Sequence, residues 1–319
     1  MREINARLKV DKIMTLAALL LVLAAAVLHA TWNYCAKRAG GGLPFVWLVG
    51  AIICACYVPV LLVYGSVASI SLTPMAVAWI VGSGVLKTSY SLFLQRGYRT
   101  GEFSLIYPLA RGTGPLLSML AAMLVLGERP SALALAGGAV IVVAIFWLTG
   151  GMHSLGAALR RAWREELSID AQHPRAVGST TASVNYGILS GVFIASYTLW
   201  DRHGVAGLAI APVLYDAGTA FTQLFLLSPF AARRWPEVKR EWSVNRRWAF
   251  GVALLSPLAY ILVLTALRFT PVTYVAPARE VSIVIGAFMG ARFLKEANGR
   301  RRVWAAVIIA LGVIALAWG

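Results

Sequence analysis

Acidic residues are scarce in this chain: 13 Asp and Glu stand against 29 Lys and Arg in 319 residues, and charged side chains of both signs make up only 13%. A soluble domain has about a quarter of its residues charged, so too little polar surface is present to cover a water-facing globule of this length. Cysteine is almost as rare. Cys35, Cys54 and Cys56 are an odd set, and the last two lie two apart in an apolar run, on different sides of a helix, so neither a disulfide framework nor a metal site is implied. The four histidines, His29, His153, His173 and His203, are scattered without His-Glu-x-x-His spacing, and no Gly-x-Ser-x-Gly elbow or Walker loop occurs. Nothing here reads as an enzyme or as a cofactor site. Without a nucleotide site, any uphill work must draw on a gradient.

What is abundant is apolar sequence: 59% of residues are hydrophobic and the mean hydropathy is +0.74. The chain reads as an integral membrane protein with the lipid bilayer as a partner. A net charge of +16 raises nucleic acid as a partner, but the basic residues lie in short segments between apolar runs, which excludes a single binding patch. At about 20 residues per crossing, ten spans are expected, over 13–36, 43–64, 74–95, 103–126, 131–149, 182–202, 208–230, 247–269, 272–294 and 303–318. The one long polar segment is 150–181, in which Leu155 to Leu167 is expected to form a short amphipathic helix at the membrane surface.

The chain is organised around Tyr107-Pro108-Leu109-Ala110-Arg111-Gly112-Thr113-Gly114-Pro115, an arginine in an apolar run between prolines and glycines. A charge at membrane depth usually faces the protein interior or a water-filled cavity, and the prolines predict a helix broken where it carries that charge. Ala110-Arg111 returns as Ala278-Arg279, Glu128 as Glu296, Leu126 as Leu294, and Trp32-Asn33 as Trp200-Asp201, each 168 residues on. Two homologous halves follow, residues 1–149 and 182–319, joined by the linker 150–181. Five spans per half, an odd number, turn the second half upside down relative to the first, the inverted repeat of many secondary transporters. Sorting the loops by side leaves 7 basic residues on the side of the N-terminus and 18 on the other, which by the positive-inside rule sets both termini outside the cytoplasm.

These motifs carry a resemblance. Ten spans in two halves, a tryptophan with a polar neighbour ending spans one and six, Gly127-Glu128-Arg129 after span four and Leu294-Lys295-Glu296 after span nine resemble the EamA family of the drug/metabolite transporter superfamily. The narrower set His29-Ala30-Thr31-Trp32-Asn33, Tyr107 to Gly112 and Arg279-Glu280-Val281-Ser282 is similar to EamA-like permeases associated with phosphonate utilisation. The resemblance implies an all-α fold of ten transmembrane helices in two inverted five-helix repeats. It also implies a monomeric multi-pass carrier of the bacterial cytoplasmic (inner) membrane, working by alternating access on a small-molecule substrate with a coupling proton or cation. Spans one, three, four, six, eight and nine are expected around a central cavity with the other four outside. The family pattern has both termini cytoplasmic, against the loop charges.

Arg111, Arg279 and Lys87 are the cations expected on cavity helices. With few acids to answer them, chiefly Glu280 and Asp201, they leave a positive surplus. That surplus suits an anionic or zwitterionic cargo carrying phosphonate, phosphate or carboxylate, since guanidinium binds such groups bidentately. Trp32, Trp200, Tyr90, Asn33 and Asp201 are read as substrate contacts, with Tyr197 and Tyr260 as further cavity walls. His29 and Glu280 are candidates for proton coupling, and Pro108, Pro115 and Pro277 for gating. Asp216, on an outer span by resemblance, is expected to pair internally. Glu128 and Glu296 are expected to complete a cap or to meet the positive N-terminus of the next helix, and Gly286 and Gly290 to let helices approach. The same charges leave two alternatives: a flippase for an anionic lipid or lipid-linked headgroup, and an intramembrane enzyme for which no nucleophile is evident.

Overall fold

A computed structural model describes residues 14–68, 72–100, 103–148, 156–157, 180–294 and 299–319, and the regular structure among them is helical. In chain order the helices are α1 (Leu16–Ala39), α2 (Leu43–Val67), α3 (Pro74–Thr100), α4 (Phe103–Val125), α5 (Ala132–Leu148), α6 (Thr180–Arg202), α7 (Pro212–Ala232), α8 (Trp235–Leu267), α9 (Val272–Arg279), α10 (Val281–Leu294) and α11 (Gly299–Trp318), with a π-helical turn His203–Gly207 after α6. Four stretches, Leu16–Ala39, Leu43–Val67, Pro74–Gly97 and Trp235–Leu267, are long and apolar enough to cross a bilayer on length and composition alone; Leu109–Val125, Ala132–Leu148 and Trp304–Trp318 are shorter and apolar. Apolar side chains face outward on these and other helices. Leu124 is 85% exposed and Phe225 78%, a pattern that lipid satisfies and water does not. The chain is a membrane protein.

Helices from one half pack on helices from the other. α4 lies on α6, and α10 with α9 lies on α1; α3 lies on α6 and α8 on α1; α3 lies on α7 and α8 on α2; α5 lies on α11. Lipid tails are as apolar as the helices, so close packing rather than hydrophobic burial holds such pairs. Small residues make the approach. A Cβ on Gly114 would come within 2.9 Å of Ile194, one on Gly187 within 2.6 Å of Leu109, and one on Gly191 within 2.1 Å of the Thr113 hydroxyl. Gly137 and Gly312 do the same between α5 and α11, where a Cβ on Gly137 would stand 2.5 Å from the Gly312 carbonyl oxygen. Gly286, expected at such a contact, has nothing within 4 Å of its added Cβ.

The structure corrects the expected break at Arg111. α4 is helical without interruption from Phe103 to Val125, through Pro108, Arg111 and Pro115; of Pro108 only the backbone is described. Along the helix Thr113 donates to the Leu109 carbonyl (2.6 Å) and Ser118 to that of Gly114 (2.8 Å), side-chain bonds to the carbonyl four residues back. The glycines beside Arg111 serve packing instead, Gly112 against Phe146 and Gly114 against Ile194. The break falls at the counterpart: α9 ends at Arg279 and α10 starts at Val281, with Glu280 between them and its N–H bonded 3.1 Å to the Pro277 carbonyl.

A second correction concerns residues 233–247, expected as a basic loop. From Trp235 they are helical, the first turns of a 33-residue α8 about 50 Å long, more than the ~30 Å hydrocarbon layer needs. The projecting part returns to the end of α1, where Asn245 donates to the Ala39 carbonyl (3.2 Å).

Gly127 closes α4 in the left-handed region, φ +67°, and the Glu128 N–H bonds back to the Ala122 carbonyl at 3.2 Å, a glycine helix stop. That turn aims Glu128 across the molecule. Its carboxylate accepts from the N–H groups of Val272 (2.8 Å) and Thr273 (2.9 Å), the first residues of α9, so an acid of the first half caps a helix of the second. The amphipathic helix expected within the linker and the role of Glu296 lie outside the described residues, apart from 156–157 of the former.

Glu128→Ala is expected to lower stability by about 1–2 kcal/mol, read as a lower thermal unfolding midpoint in detergent. Glu237→Ala, which removes an exposed ion pair to Arg234, is the control and is expected to change the midpoint little. Equal effects of the two would remove the cap from the account.

Candidate functional site

A cavity of about 290 Å³ sits among the helices. α1 presents His29 and Trp32 to it, α3 Lys87 and Tyr90, α4 Arg111, α6 Tyr197, α8 Tyr260 and α9 Arg279. These are the six spans expected to be inner. Two expected to be outer contribute as well: α2 through Gly50 and Ile53, and α7 through Asp216, Thr219 and Gln223.

The charged residues form two clusters. In the first, Glu280 stands between the two arginines that the repeat relates, 3.9 Å from Arg111 and 3.5 Å from Arg279. Arg279 and Glu280 are buried, while Arg111 keeps a side chain 19% exposed toward the cavity. The break in the helix after Arg279 puts guanidinium and carboxylate on adjacent residues and ends α9 with a cation, as its dipole favours. Tyr90 and Tyr197 meet edge to face nearby, 5.9 Å between ring centres, and His29 lies against Trp32 at 4.8 Å. The His29 Nε2 is buried without a hydrogen-bond partner.

The second cluster is built on Asp201, which is fully buried. It accepts from Ser83 (2.6 Å), Tyr215 (2.9 Å) and Tyr260 and pairs with Lys87 at 3.1 Å. The Lys87 ammonium also stands over the Tyr260 ring, 4.1 Å from its centre. Asp216, one helix away, accepts a 2.5 Å hydrogen bond from Tyr57. Beside Asp201, Trp200 stacks flat on Trp79 at 4.2 Å and 12°; each indole N–H donates to the other's carbonyl, at 2.7 and 2.9 Å. Gly82 leaves room for that stack, since its Cβ would stand 2.6 Å from the Trp200 ring. Two consecutive residues of α6 thus hold the start of α3.

Several sequence expectations are corrected here. Trp200 is not on the cavity wall, because its ring is spent on Trp79. Asn33 turns back along α1, donating to the His29 carbonyl (2.7 Å). Asp201 and Glu280 lie behind the wall, each reaching the cavity through the cation it holds. Pro115 and Pro277 are buried in packing, and α4 has no hinge at Pro108 or Pro115. Lys87, Tyr90, Arg111, Arg279, Trp32 and His29 do line the cavity. Asp216, expected to pair internally, is bonded to Tyr57 and in addition lines the cavity, which its place on an outer span does not lead one to expect. Its signal was a stripe of polar residues at helical spacing, Asp216, Thr219 and Gln223, in a run otherwise apolar. With it, the charged residues are three cations and three acids, and the expected positive surplus is gone.

The comparisons bear on both halves differently. Residues 182–318, from α6 to α11, match the model of the EamA-like transporter family. The EamA-like half thus supplies Tyr197, Asp201, Asp216, Tyr260, Arg279 and Glu280, and the preceding half the rest of the site. A crystal structure of a protein 16% identical to this one aligns over 93% of this chain and 95% of its own with a TM-score of 0.69, which shows a shared fold. No curated protein matches the sequence.

Asp201→Ala is expected to cost about 3–5 kcal/mol, because it leaves the Lys87 ammonium buried and three hydroxyls without their acceptor. Combining Lys87→Met with Asp201→Leu should recover the part of that loss that comes from the ammonium, while the part from the three hydroxyls remains, in thermal unfolding. A double variant no more stable than the single one would mean that the pair is not the source.

Proposed function

We propose that this EamA-like protein is a secondary carrier that moves a small polar metabolite with an anionic group by alternating access. One observation carries the reading: Arg111 and Arg279, equivalent positions 168 residues apart, face one cavity and both stand within 4 Å of Glu280. A guanidinium in a membrane interior costs a few kcal/mol, by insertion scales about 2.5–3.5. Two of them on one cavity wall are explained by what they can hold: a guanidinium binds a phosphonate, phosphate or carboxylate with two parallel hydrogen bonds.

The exchange of partners between halves supports the inverted repeat. Where α3 packs on α6 and α7, the equivalent α8 packs on α1 and α2, and α5 and α11 pair with each other, as two five-helix units related by a two-fold axis in the membrane would. Alternating access is then an exchange of two equivalent contacts. At one of them the Trp79 and Trp200 rings are locked together; at the equivalent place on α1, Trp32 faces the cavity. Lys87 joins this lock to the cargo, since the same ammonium touches the cavity and Asp201. A cargo anion that draws Lys87 away weakens the hold of α6 on α3.

Purified protein is expected to gain thermal stability with some members of a panel of phosphonates, sugar phosphates, carboxylates and amino acids, and Arg279→Gln to lose most of that gain. Binding at a hundred times Kd raises stability by about 2.7 kcal/mol. Proteoliposomes should show counterflow of the stabilising solute. Stabilisation by solutes that lack an anionic group, and by no others, would defeat the reading; lipid movement without solute counterflow would move it to the flippase.

A further inference from the structure

From Arg233 to Arg247, at the start of α8, six cations stand against two acids: Arg233, Arg234, Lys239, Arg240, Arg246 and Arg247 against Glu237 and Glu241. Both acids are engaged within the segment. Glu237 pairs with Arg234 at 3.3 Å, and Glu241 accepts from Asn245 at 2.7 Å. All six cations are exposed. The segment is nonetheless helical and lies on the bundle: Trp235 meets Trp47 of α2 with 5.7 Å between ring centres, and Asn245 reaches the last residue of α1. Touching at both ends, it runs along the end of the bundle. Val238, Glu241, Asn245 and Ala249, three or four residues apart, form the face turned to the protein.

The flank beside that face is built differently. Trp235, Lys239, Trp242, Arg246 and Phe250 follow at intervals of three or four residues and so form one stripe, in which rings alternate with cations. Trp235 and Trp242 are exposed, and the Trp242 and Phe250 rings lie 6.1 Å apart. Phe250 in turn begins the exposed apolar series Phe250, Leu254 and Leu258, each four residues on, which is the side α8 turns to lipid. The stripe thus passes without a break into the lipid-facing side of the span. From Ala249 to Leu267 α8 covers about 29 Å, the depth of the hydrocarbon layer, which sets Trp242 and Arg246 at the headgroups. At the head of the stripe a recess of about 310 Å³ is lined by Arg233 and Arg234 together with the apolar Leu43, Pro44 and Phe230.

We infer that the start of α8 is a docking surface for anionic phospholipid. Lys239 and Arg246, with Arg233 and Arg234 at the recess, take headgroup phosphates, and Trp235 and Trp242 lie among the headgroups as interfacial tryptophans do. Basic residues near an anionic leaflet are attracted within about a Debye length of it, whereas a zwitterionic headgroup brings its own cation and leaves the surplus unanswered. Exposed indoles continuous with the lipid-facing side of a span disfavour a partner in water. The surface is separate from the cavity, and lipid here is a fixed partner rather than a cargo, so it stands whether or not the cavity carries a solute. Because α8 holds the end of α1 through Asn245, lipid bound here braces both helices.

The test offers the purified full chain, in mild detergent at low salt, an equimolar mixture of phosphatidylglycerol and phosphatidylcholine with the same acyl chains, and counts the lipids retained by native mass spectrometry. The wild type is expected to retain phosphatidylglycerol about tenfold over phosphatidylcholine. Lys239→Gln combined with Arg246→Gln should bring that ratio close to one. Arg129→Gln combined with Arg268→Gln, which removes the same charge from exposed residues at the other end of the molecule, should leave it unchanged. If the first double variant does not fold, Lys239→Gln alone should lower the ratio about threefold, and the wild-type comparison stands by itself. Equal retention of the two lipids by the wild type overturns the surface, as does a preference that survives the double variant or is lost equally in the control. Glycerol phosphate in excess, the headgroup without its chains, should displace none of the lipid; displacement would give the cations to a free phosphate compound and overturns it too. Capture of a soluble polyanion such as heparin, with both lipids retained equally, would give the stripe to a partner in water and has the same consequence.

Discussion

Buried charge in a setting without water is the constraint on which the rest of this molecule turns. Six ionisable side chains, Lys87, Arg111, Asp201, Asp216, Arg279 and Glu280, stand in or just behind the wall of one cavity. Every one would be expensive against lipid, so all are drawn to the interior, where they answer one another. The surrounding architecture follows from that. Apolar outer faces leave the charges nowhere else to go, and hydroxyls of Ser83, Tyr57, Tyr215 and Tyr260 surround the acids. The interior is polar for chemical reasons and the exterior apolar for the same ones.

Between the halves, little holds except shape and a few polar ties. Gly114, Gly187 and Gly191 bring α4 and α6 close enough for dispersion to matter, and Gly137 with Gly312 does so for α5 and α11. To these are added ties that cross from half to half: Glu128 onto the start of α9, Asp201 onto Lys87, and the paired tryptophans 79 and 200. Such contacts are discrete. A helix pair joined by stacked rings and two hydrogen bonds is either engaged or parted, which is the kind of element a two-state carrier needs. Under the proposed carrier reading the Lys87 ammonium would give that element a sensor, because it touches both Asp201 and the cavity.

Much of this could be read from the chain before any coordinates. The offset of 168 residues paired Arg111 with Arg279, and depth in the apolar runs marked Lys87, because a cation that cannot reach the interface has to face the inside. The place of Glu128 at a helix boundary marks it as a helix-end acid, but the N-terminus it meets is that of α9 and not that of α5, the next helix. The helix break was placed wrongly, since proline and glycine signal both unwinding and close packing, and only the neighbours tell which. At Arg111 the neighbours are Phe146 and Ile194, and the helix runs on.

The sequence by itself determined the membrane environment, the helical class and which rare charges had to be buried, because these depend on composition and on residues near in the chain. Tertiary structure alone decided which helices wall the cavity and which acid answers which cation. Asp216 and Trp200 show the difference. Both lie in apolar helices with one polar edge, and nothing within either helix says what that edge meets. Packing between helices far apart in sequence set Trp200 against Trp79 and Asp216 at the cavity, and such pairings arise from how whole helix faces fit together.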